Sequence, residues 1–565
     1  MVASLLKIIS TGMQDERLQP PKDQPDLGAF LTVLIKAGRY ATNWVRIDFD
    51  TNTGFGKTSA PSVVILNEDV QKDTSGNNND PDMTDGNMNA SRRKPCEPAS
   101  TQTNRAIARL LTQGELIGRI FLVVQMPDIQ TPQLAAQSMK INGVKPEFIG
   151  PKFGWTNSLG HALVNQASIQ IGGALMDTIP GRLMEIIDEF QTPLEKVVET
   201  NRQLCRKDSG FSQTSFGNDS TSQQVVTSIP FWFSRGDPGC LLPIDALNVD
   251  EVRITIDFNP MSTLYYTDSR VTDSSGHELQ TNTPGGSLWP MASSDFYYAD
   301  PSGSLIPGLE PSNSVRVSKY PKVKMPDSYS IKDAYLMVEY IYLDKAEANR
   351  FRIADLQVPV VQHYSMTPVD NQNTKDTRIR LTIPNPTRDI FFYSQRYEAP
   401  GYNAHFLATR DLSGVHTPKA PWWPDAQGLD ERLYGILKPG FSTRFSEPLR
   451  WLALNYTESL NRISTENVAL FRSVIPSIEQ RKAPWVNRYY YNIPLGTQNG
   501  FTPFSMPMGE ANLDKVQRMH LLLGFHGKTG IINDDFVDRY ITYVFAETYN
   551  IFRVYGGRGA MMFAY

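Results

Sequence analysis

Apolar and polar residues alternate with a period of two in segments spread along the whole chain. In "EVRITIDF", Val252, Ile254, Ile256 and Phe258 fall on one face and Arg253, Thr255 and Asp257 on the other, the pattern of a half-buried strand. "NQASIQIGG" does the same, with Ala167, Ile169 and Ile171 alternating with Gln166, Ser168 and Gln170 before a Gly-Gly turn. "WVRIDFD", "TRIRLTI" and "RYITYVFA" follow suit. By contrast, "AYLMVEYIYL" (334–343) is apolar at almost every position, which predicts a strand covered on both faces.

Helical spacing is rare. "RLMEIIDEF" places Leu183, Ile186, Ile187 and Phe190 on one helix stripe. Thr192, Pro193 and Glu195 then read as N-cap, N1 and N3 of a second short helix, and Asp344 with Glu347 opens another over "KAEANRF". These are helices set in loops on a β framework, not a βαβ rhythm. Two stretches lack periodicity altogether. Residues 67–104 include "KDTSGNNNDPDMTDGNMN", too polar to build a core, and 260–325 separates one strand-rich half from another. The expectation is two β domains joined by a long decorated connection, with no internal repeat visible in the residues.

Composition supports the β reading. Tyr (24), Phe (27) and Pro (39) suit many strands ended by turns, and 565 residues exceed one ordinary core. Lys and Arg (55) nearly balance Asp and Glu (59), so no global charge draws the chain to nucleic acid or an anionic membrane. Residues 1–26 set Lys7, Arg17 and Lys22 against Asp15, Glu16, Asp23 and Asp26, so this segment is not a basic genome-binding arm. Cys96, Cys205 and Cys240 are too scattered for a disulfide framework or a zinc site, and reduced thiols are expected. "MVASLLKIIS" is too short an apolar stretch for a signal peptide, and no run approaches the roughly twenty apolar residues of a membrane span. A reducing cytosol is the expected folding compartment.

Candidate chemistry is sparse. "TNTGFGKTS" (51–59) ends in a phosphate-loop triplet, but Thr51 stands where the leading glycine belongs, and strand-favouring Val63, Val64 and Ile65 follow where a helix is required. Gly527-Lys528-Thr529 fails likewise, with Leu522 at the leading position and Gly530 after it. Of seven scattered histidines only His520 and His526 are close, and Gly524 and Gly527 suggest a turn between them. "DDFVD" (534–538) and "DPDMTD" (80–85) lack calcium-loop spacing and read as solvated turns. No GxSxG elbow is present, and the sequons at Asn89, Asn218 and Asn455 matter only on a secretory route. "FWF" (231–233) and "RYYYN" (488–492) suit core and interface packing more than stacking platforms. No catalytic residue, cofactor or metal site is expected.

Seven stretches, in one order over both halves, resemble the double jelly-roll major capsid proteins of nucleocytoplasmic large DNA viruses and their virophage and polinton-like relatives. They are "SLLKIISTGMQD" with "FLTVLIKAGRYATNWVRIDFD"; "GELIGRIFLVVQMP"; "GHALVNQASIQIGG" with "RLMEIIDEF"; "IPFWFSRGDPGCLLPIDALNVDEVRITIDF"; "AYLMVEYIYLDKAEANRF"; "IRLTIPNPTRDIFFYSQR"; and "ETYNIFRVYGGRGAMMFAY". The resemblance implies an all-β fold of two consecutive eight-stranded antiparallel jelly-roll sandwiches, with short helices and long insertions in loops. The expected divisions are an N-terminal arm (1–28), a first jelly roll (29–259) with an insertion at about 67–104, a connection (260–325) and a second jelly roll (326–565). Phe55-Gly56-Lys57 then occupies the family's Phe-Gly turn between early segments of the first jelly roll, where Gly54 and Gly56 serve backbone geometry.

What the resemblance implies for function is a structural protein and not an enzyme. It would form homotrimers with a pseudo-hexagonal outline that tile an icosahedral shell, assemble in the host cytoplasm and end in the virion. Implied partners are further copies of itself, penton and minor capsid proteins, and an underlying membrane reached through minor proteins, with no direct nucleic-acid contact. Leu5, Leu6, Ile8 and Ile9 of the arm are candidates for docking a minor capsid protein. Competing readings are a carbohydrate-binding sandwich whose aromatic clusters line an exposed groove, a sandwich NTPase, and a capsid-like scaffold for a viral membrane.

Overall fold

The computed structural model describes residues 41–50, 104–127, 152–206, 224–260, 263–268, 331, 333–353, 355–397, 405–406, 408, 447–457, 460–484, 488–497, 499–507, 509–516, 518–527 and 537–563, with strand pieces at 290–291, 297–299 and 315–317. The arm, the Phe55-Gly56-Lys57 turn, the first phosphate-loop triplet and all of the 67–104 insertion but its last residue lie outside these residues.

The first half supplies β1 (Ala41–Asp48), β2 (Asn104–Leu110), β3 (Leu116–Gln125), β4 (Val164–Ile171), β5 (Ala174–Pro180), β6 (Gln224–Ser228), β7 (Val252–Phe258) and β8 (Asp333–Tyr342). They pair into two four-stranded sheets ordered β1-β8-β3-β6 and β2-β7-β4-β5. The second half supplies β9 (Leu356–Ser365), β10 (Asp376–Leu381), β11 (Pro386–Arg396), β12 (Leu449–Thr457), β13 (Leu460–Thr465), β14 (Tyr491–Pro494), β15 (Met519–Phe525) and β16 (Tyr540–Tyr555). Their orders are β9-β16-β11-β14 and β10-β15-β12-β13, the same permutation shifted by one set of strands. In each half the opening strand pairs antiparallel with the closing one, Ala41 opposite Tyr342 and Leu356 opposite Val554. This is the jelly-roll connection made twice.

The alternating strands bury the faces their patterns predict. Val252, Ile254, Ile256 and Phe258 of β7 are all buried, and Arg253 is exposed. Thr255 and Asp257, expected outward, are buried as well, so β7 is covered on both faces beyond Arg253, and Arg105 of β2 reaches across to Asp257 with Nε 2.9 Å from Oδ1. The Gly172-Gly173 turn joins β4 to β5 with both residues at positive φ, and a Cβ on Gly172 would lie 2.7 Å from the Asp250 carboxylate.

β8 departs from expectation in two ways. It alternates, with Ala334, Leu336, Val338 and Tyr340 buried while Tyr335, Met337 and Glu339 are only half-buried, so within one chain it is covered on one face. It also lies between β1 and β3, closing the first jelly roll, where the sequence reading placed it in the second. Residues 260–325 therefore join two strands of one jelly roll, β7 and β8, and do not connect the two halves. The crossing to the second half runs instead through the short helix at Lys345–Ile353.

Helices sit in the loops, as expected: α1 (Leu159–Leu163), α2 (Gly181–Gln191), α3 (Val197–Gln203), α4 (Lys345–Ile353) and α5 (Ile475–Glu479), the last entered through a π-helical turn at Leu470–Val474. Thr192 does not cap the helix after α2. Its hydroxyl donates back to Asp188 Oδ1 at 2.6 Å, and Pro193 takes the cap position of the turn Leu194–Lys196 that leads into α3.

Candidate functional site at the seam between the jelly rolls

α2 follows β5 and buries Leu183, Ile186, Ile187 and Phe190, the stripe its spacing predicts. Glu185 and Glu189, four residues apart and so on one line of the helix, are buried as well. A buried carboxylate costs several kcal/mol unless paired, and both are paired across the seam. Glu185 Oε2 is 2.7 Å from His161 Nδ1 and accepts from Arg206 Nη2 at 2.5 Å, while Oε1 accepts from Ser158 Oγ and, at 2.7 Å, from Arg488 Nη1 of the second jelly roll. Glu189 lies 3.0 Å from Arg488 Nε and 3.1 Å from Lys482 Nζ, both from the second half.

Burial alone would raise the Glu185 carboxyl, but Arg206, Arg488 and His161 outweigh it and hold it well below the usual carboxylate range. Against the same burial, Arg488, Lys482 and Arg206 bring Glu189 down to about 2. Ser158 is held at φ 52°, an uncommon conformation for a residue with a side chain, and its hydroxyl bridges Glu185 and Arg206.

A second polar cluster lies on β9, β11 and β16. Arg235, from the loop after β6, forms an ion pair with Glu547 of β16 at 2.8 Å. Asp177 of β5 holds His363 of β9, Oδ2 to Nδ1 at 2.8 Å and Oδ1 to the backbone N–H at 3.0 Å. Asp389 of β11 sits opposite Glu547 and accepts from Asn492 at 2.9 Å and Gln480 at 3.0 Å. Burial and the Glu547 charge push its carboxyl up to about 6, despite Arg388.

Aromatic side chains complete the seam. Phe190 packs on Phe391 with centroids 5.4 Å apart, Trp232 on Phe552 at 5.6 Å, and the Arg182 guanidinium lies 4.4 Å from the Tyr543 centroid while donating to the Tyr393 hydroxyl. The first jelly roll thus roofs the face of β11 and β16 that carries Phe391, Tyr393, Tyr543 and Glu547.

This arrangement fastens one sandwich to the other. "FWF" and "RYYYN" are both buried, Trp232 and Tyr490 each 1% exposed, and so line no groove. His520 lies in β15, which runs unbroken through Gly524, so the expected turn between His520 and His526 is absent. Gly524 instead admits the Trp451 indole, which a Cβ there would overlap. His520 Nδ1 is 3.2 Å from Arg378, and among the described residues no group of three His, Cys, Asp or Glu is placed to hold a metal. Cys240 is buried and Cys205 half-buried, and the two are not joined to each other. Asn89, Asn218, Cys96, residues 80–85 and residues 528–530 lie outside the described residues.

Two jelly rolls of one strand order, fixed by a buried seam, define a double jelly-roll protein. A family model described as the major capsid protein N-terminus matches residues 96–344, ending just after β8. The chain is similar to probable capsid protein 4 of Acanthamoeba polyphaga mimivirus, 27% identical over 160 residues that make up 28% of each protein. It is also similar to the major capsid protein of Frog virus 3 (isolate Goorha), 20% identical over 419 residues, 72% of this chain and 73% of that one. The match spans well under half the length of the mimivirus relatives, 28% of one and 36% of another. Among solved structures, VP54 of PBCV-1, fitted into a reconstruction of the virophage Sputnik, superposes with a TM-score of 0.56 at 14% identity, covering 93% of this chain and 97% of that one. The Faustovirus major capsid protein gives 0.54 at 9% identity, covering 97% and 96%. At such identities these structures share the fold. The chain has the double jelly-roll fold and is similar in sequence to major capsid proteins of large DNA viruses, as its sequence resemblance implied.

Proposed function

We propose that this chain is the major capsid protein of a large double-stranded DNA virus, three copies forming a pseudo-hexagonal capsomer and many capsomers an icosahedral shell. The observation that carries the reading is the repetition of one strand permutation in two sandwiches clamped by buried ion pairs. A subunit built from two like blocks places six blocks in a trimer, and six is the number a hexagonal tile needs. The clamp makes the pair rigid, so curvature is set between subunits and not within them. The long stretch 260–325, inserted between β7 and β8 in the chain, gives the subunit room for contacts with its neighbours.

In this reading the first jelly roll ends near residue 344 and the second begins with α4. Minor capsid and penton proteins are the partners beneath and between the tiles, and the protein resides in the virion after assembly in the host cytoplasm. The buried state of "FWF" and "RYYYN" removes the feature that favoured a carbohydrate-binding groove. Size-exclusion chromatography with light scattering, followed by negative-stain imaging, tests the proposal: a trimer with a hexagonal outline is expected, and a stable monomer overturns it. Mass spectrometry of purified virions separates a shell protein, present in many copies, from a scaffold that departs.

A further inference from the structure

The two halves share more than strand order. The closing strand of the first reads Ala334-Tyr335-Leu336-Met337-Val338-Glu339, and that of the second Thr542-Tyr543-Val544-Phe545-Ala546-Glu547. Register confirms the correspondence: Tyr335 lies opposite Val123 and Met337 opposite Phe121 on β3, as Tyr543 lies opposite Tyr393 and Phe545 opposite Phe391 on β11. In the second half this face is roofed by the first, through Arg182 over Tyr543, Phe190 on Phe391 and Arg235 on Glu547. In the first half the equivalent face is open, with Trp44 39% exposed beside half-buried Phe121, Tyr335, Met337 and Glu339.

The roofing elements are also duplicated. In the first half they are β5, which packs on β9, and the helix after it, α2, whose Ile186 and Phe190 are 0% exposed. Their counterparts in the second half are β13 and the helical segment 470–479. There Val474 and Ile478, four residues apart on one helix line, are 48% and 61% exposed. The chain therefore ends one side in an uncovered sheet face and the other in an uncovered apolar helix, the two sides of a joint it already makes internally. Even the cation is provided for. Arg46 lies 3.9 Å from the Tyr335 centroid, supplying from the same sheet what Arg182 brings to Tyr543 from across the seam.

We propose that the helix bearing Val474 and Ile478 docks on the β1-β8-β3 face bearing Trp44, Phe121 and Met337 of a second copy of this chain, repeating the internal seam between subunits. The inference rests on the capsomer reading and specifies which surfaces meet. A head-to-tail joint either closes a ring or propagates as a filament, and closure after three chains gives the six-block tile. The exposed members of this joint, Val474, Ile478 and Trp44, are apolar, where the internal joint buries Glu185 and Glu189 against Arg488.

The experiment uses the full chain with a photo-crosslinking amino acid in place of Ile478, irradiated and digested for mass spectrometry. Expected products join this helix to peptides 41–48, 116–125 or 333–342 of another copy; crosslinks to the same helix of another copy, or to the second jelly roll only, overturn the inference. In parallel, Ile478→Asp and Trp44→Asp, both at exposed positions, should drop the mass in light scattering to one third of wild type. Leu175→Asp, at a position 58% exposed near the start of β5, should leave it unchanged. Trimeric Ile478→Asp and Trp44→Asp variants overturn this joint while leaving the capsomer reading standing. A monomeric wild-type chain removes the reading and the inference together.

Discussion

Arg488 of the second jelly roll donates from Nη1 to Glu185 Oε1 of the first at 2.7 Å, with neither side chain more than 2% exposed. The same guanidinium reaches Glu189 through Nε at 3.0 Å, so one residue closes both carboxylates of α2 against the opposite sandwich. Removing it leaves buried charge without its counterion, a far larger loss than breaking a surface pair. Arg488→Ala should lower stability by about 3–5 kcal/mol in denaturant titration. Arg202→Ala, which breaks the exposed pair with Glu199, should stay within about 0.5 kcal/mol of wild type. Equal losses in the two variants would show that the seam pair is not what holds the halves together.

The pairing also fixes a pH dependence. Glu185 and Glu189 titrate below their ordinary value in the folded chain, so the unfolded chain takes up protons first as pH falls. Their contribution is fully present above the ordinary carboxylate value of 4.5, and for Glu189 it is lost as pH falls toward about 2. Stability measured between pH 5 and 2, at about constant ionic strength, should therefore fall in wild type and fall less steeply in Glu189→Gln. Parallel curves for the two would rule out this origin for the acid sensitivity.

Asp389 has the opposite sign. Its folded value near 6 lies above its ordinary 3.8, so the folded chain holds an extra proton between those limits. Stability from this group is complete below 3.8 and is lost as pH rises through about 6. Asp389→Asn keeps a carbonyl oxygen for Asn492 and Gln480 while removing the charge that faces Glu547. It should flatten the stability profile between pH 4 and 6, the range bounded by those two values, and raise stability above it. A variant less stable than wild type at neutral pH would mean that the ionised carboxylate is the form the seam requires.

How far the sequence disclosed this architecture depends on the range of the interaction concerned. The inward face of β7, the Gly172-Gly173 turn and the apolar stripe of α2 are local, and their patterns read correctly. Placing β8 required knowing its partner, and Arg46 of β1 meets Asp333 of β8 across 287 residues of chain. A nearly continuous apolar run also looks the same whether its second face is covered by its own chain or left open, as here. Glu185 and Glu189 stood in plain view as two acids four apart within "EIIDE", yet such spacing ordinarily marks a solvated helix face. Their partner Arg488 lies 303 residues from Glu185, inside a stretch legible only as aromatic. The echo of Tyr335-x-Met337-x-Glu339 in Tyr543-x-Phe545-x-Glu547 is too short to register as a repeat until the strand orders are superposed.

Gly524 tests packing in the second core independently of the seam. The Trp451 indole occupies the space where its Cβ would project, on the strand paired directly with it. Gly524→Ala must displace a large ring or the strand itself, an overpacking cost of about 1–3 kcal/mol. Because one contact causes the loss, pairing it with Trp451→Ala should recover part of it, giving a coupling energy of at least about 0.5 kcal/mol in a double-mutant cycle. Additive losses would show that the glycine is required for its backbone and not for the ring.

The seam finally predicts how the two jelly rolls unfold. Blocks that share buried ion pairs and the Phe190–Phe391 contact lose them together, so the chain should melt in a single calorimetric transition. Phe190→Ala deletes the ring from the centre of the joint and should cost about 3–5 kcal/mol, as for a buried aromatic truncation. Since Phe190 packs against the opposite sandwich, the loss weakens coupling between the blocks more than it weakens either core. The transition should broaden or split, with the ratio of calorimetric to van't Hoff enthalpy rising above one. A variant that melts earlier but stays as sharp as wild type would place Phe190 in the cohesion of the first jelly roll alone.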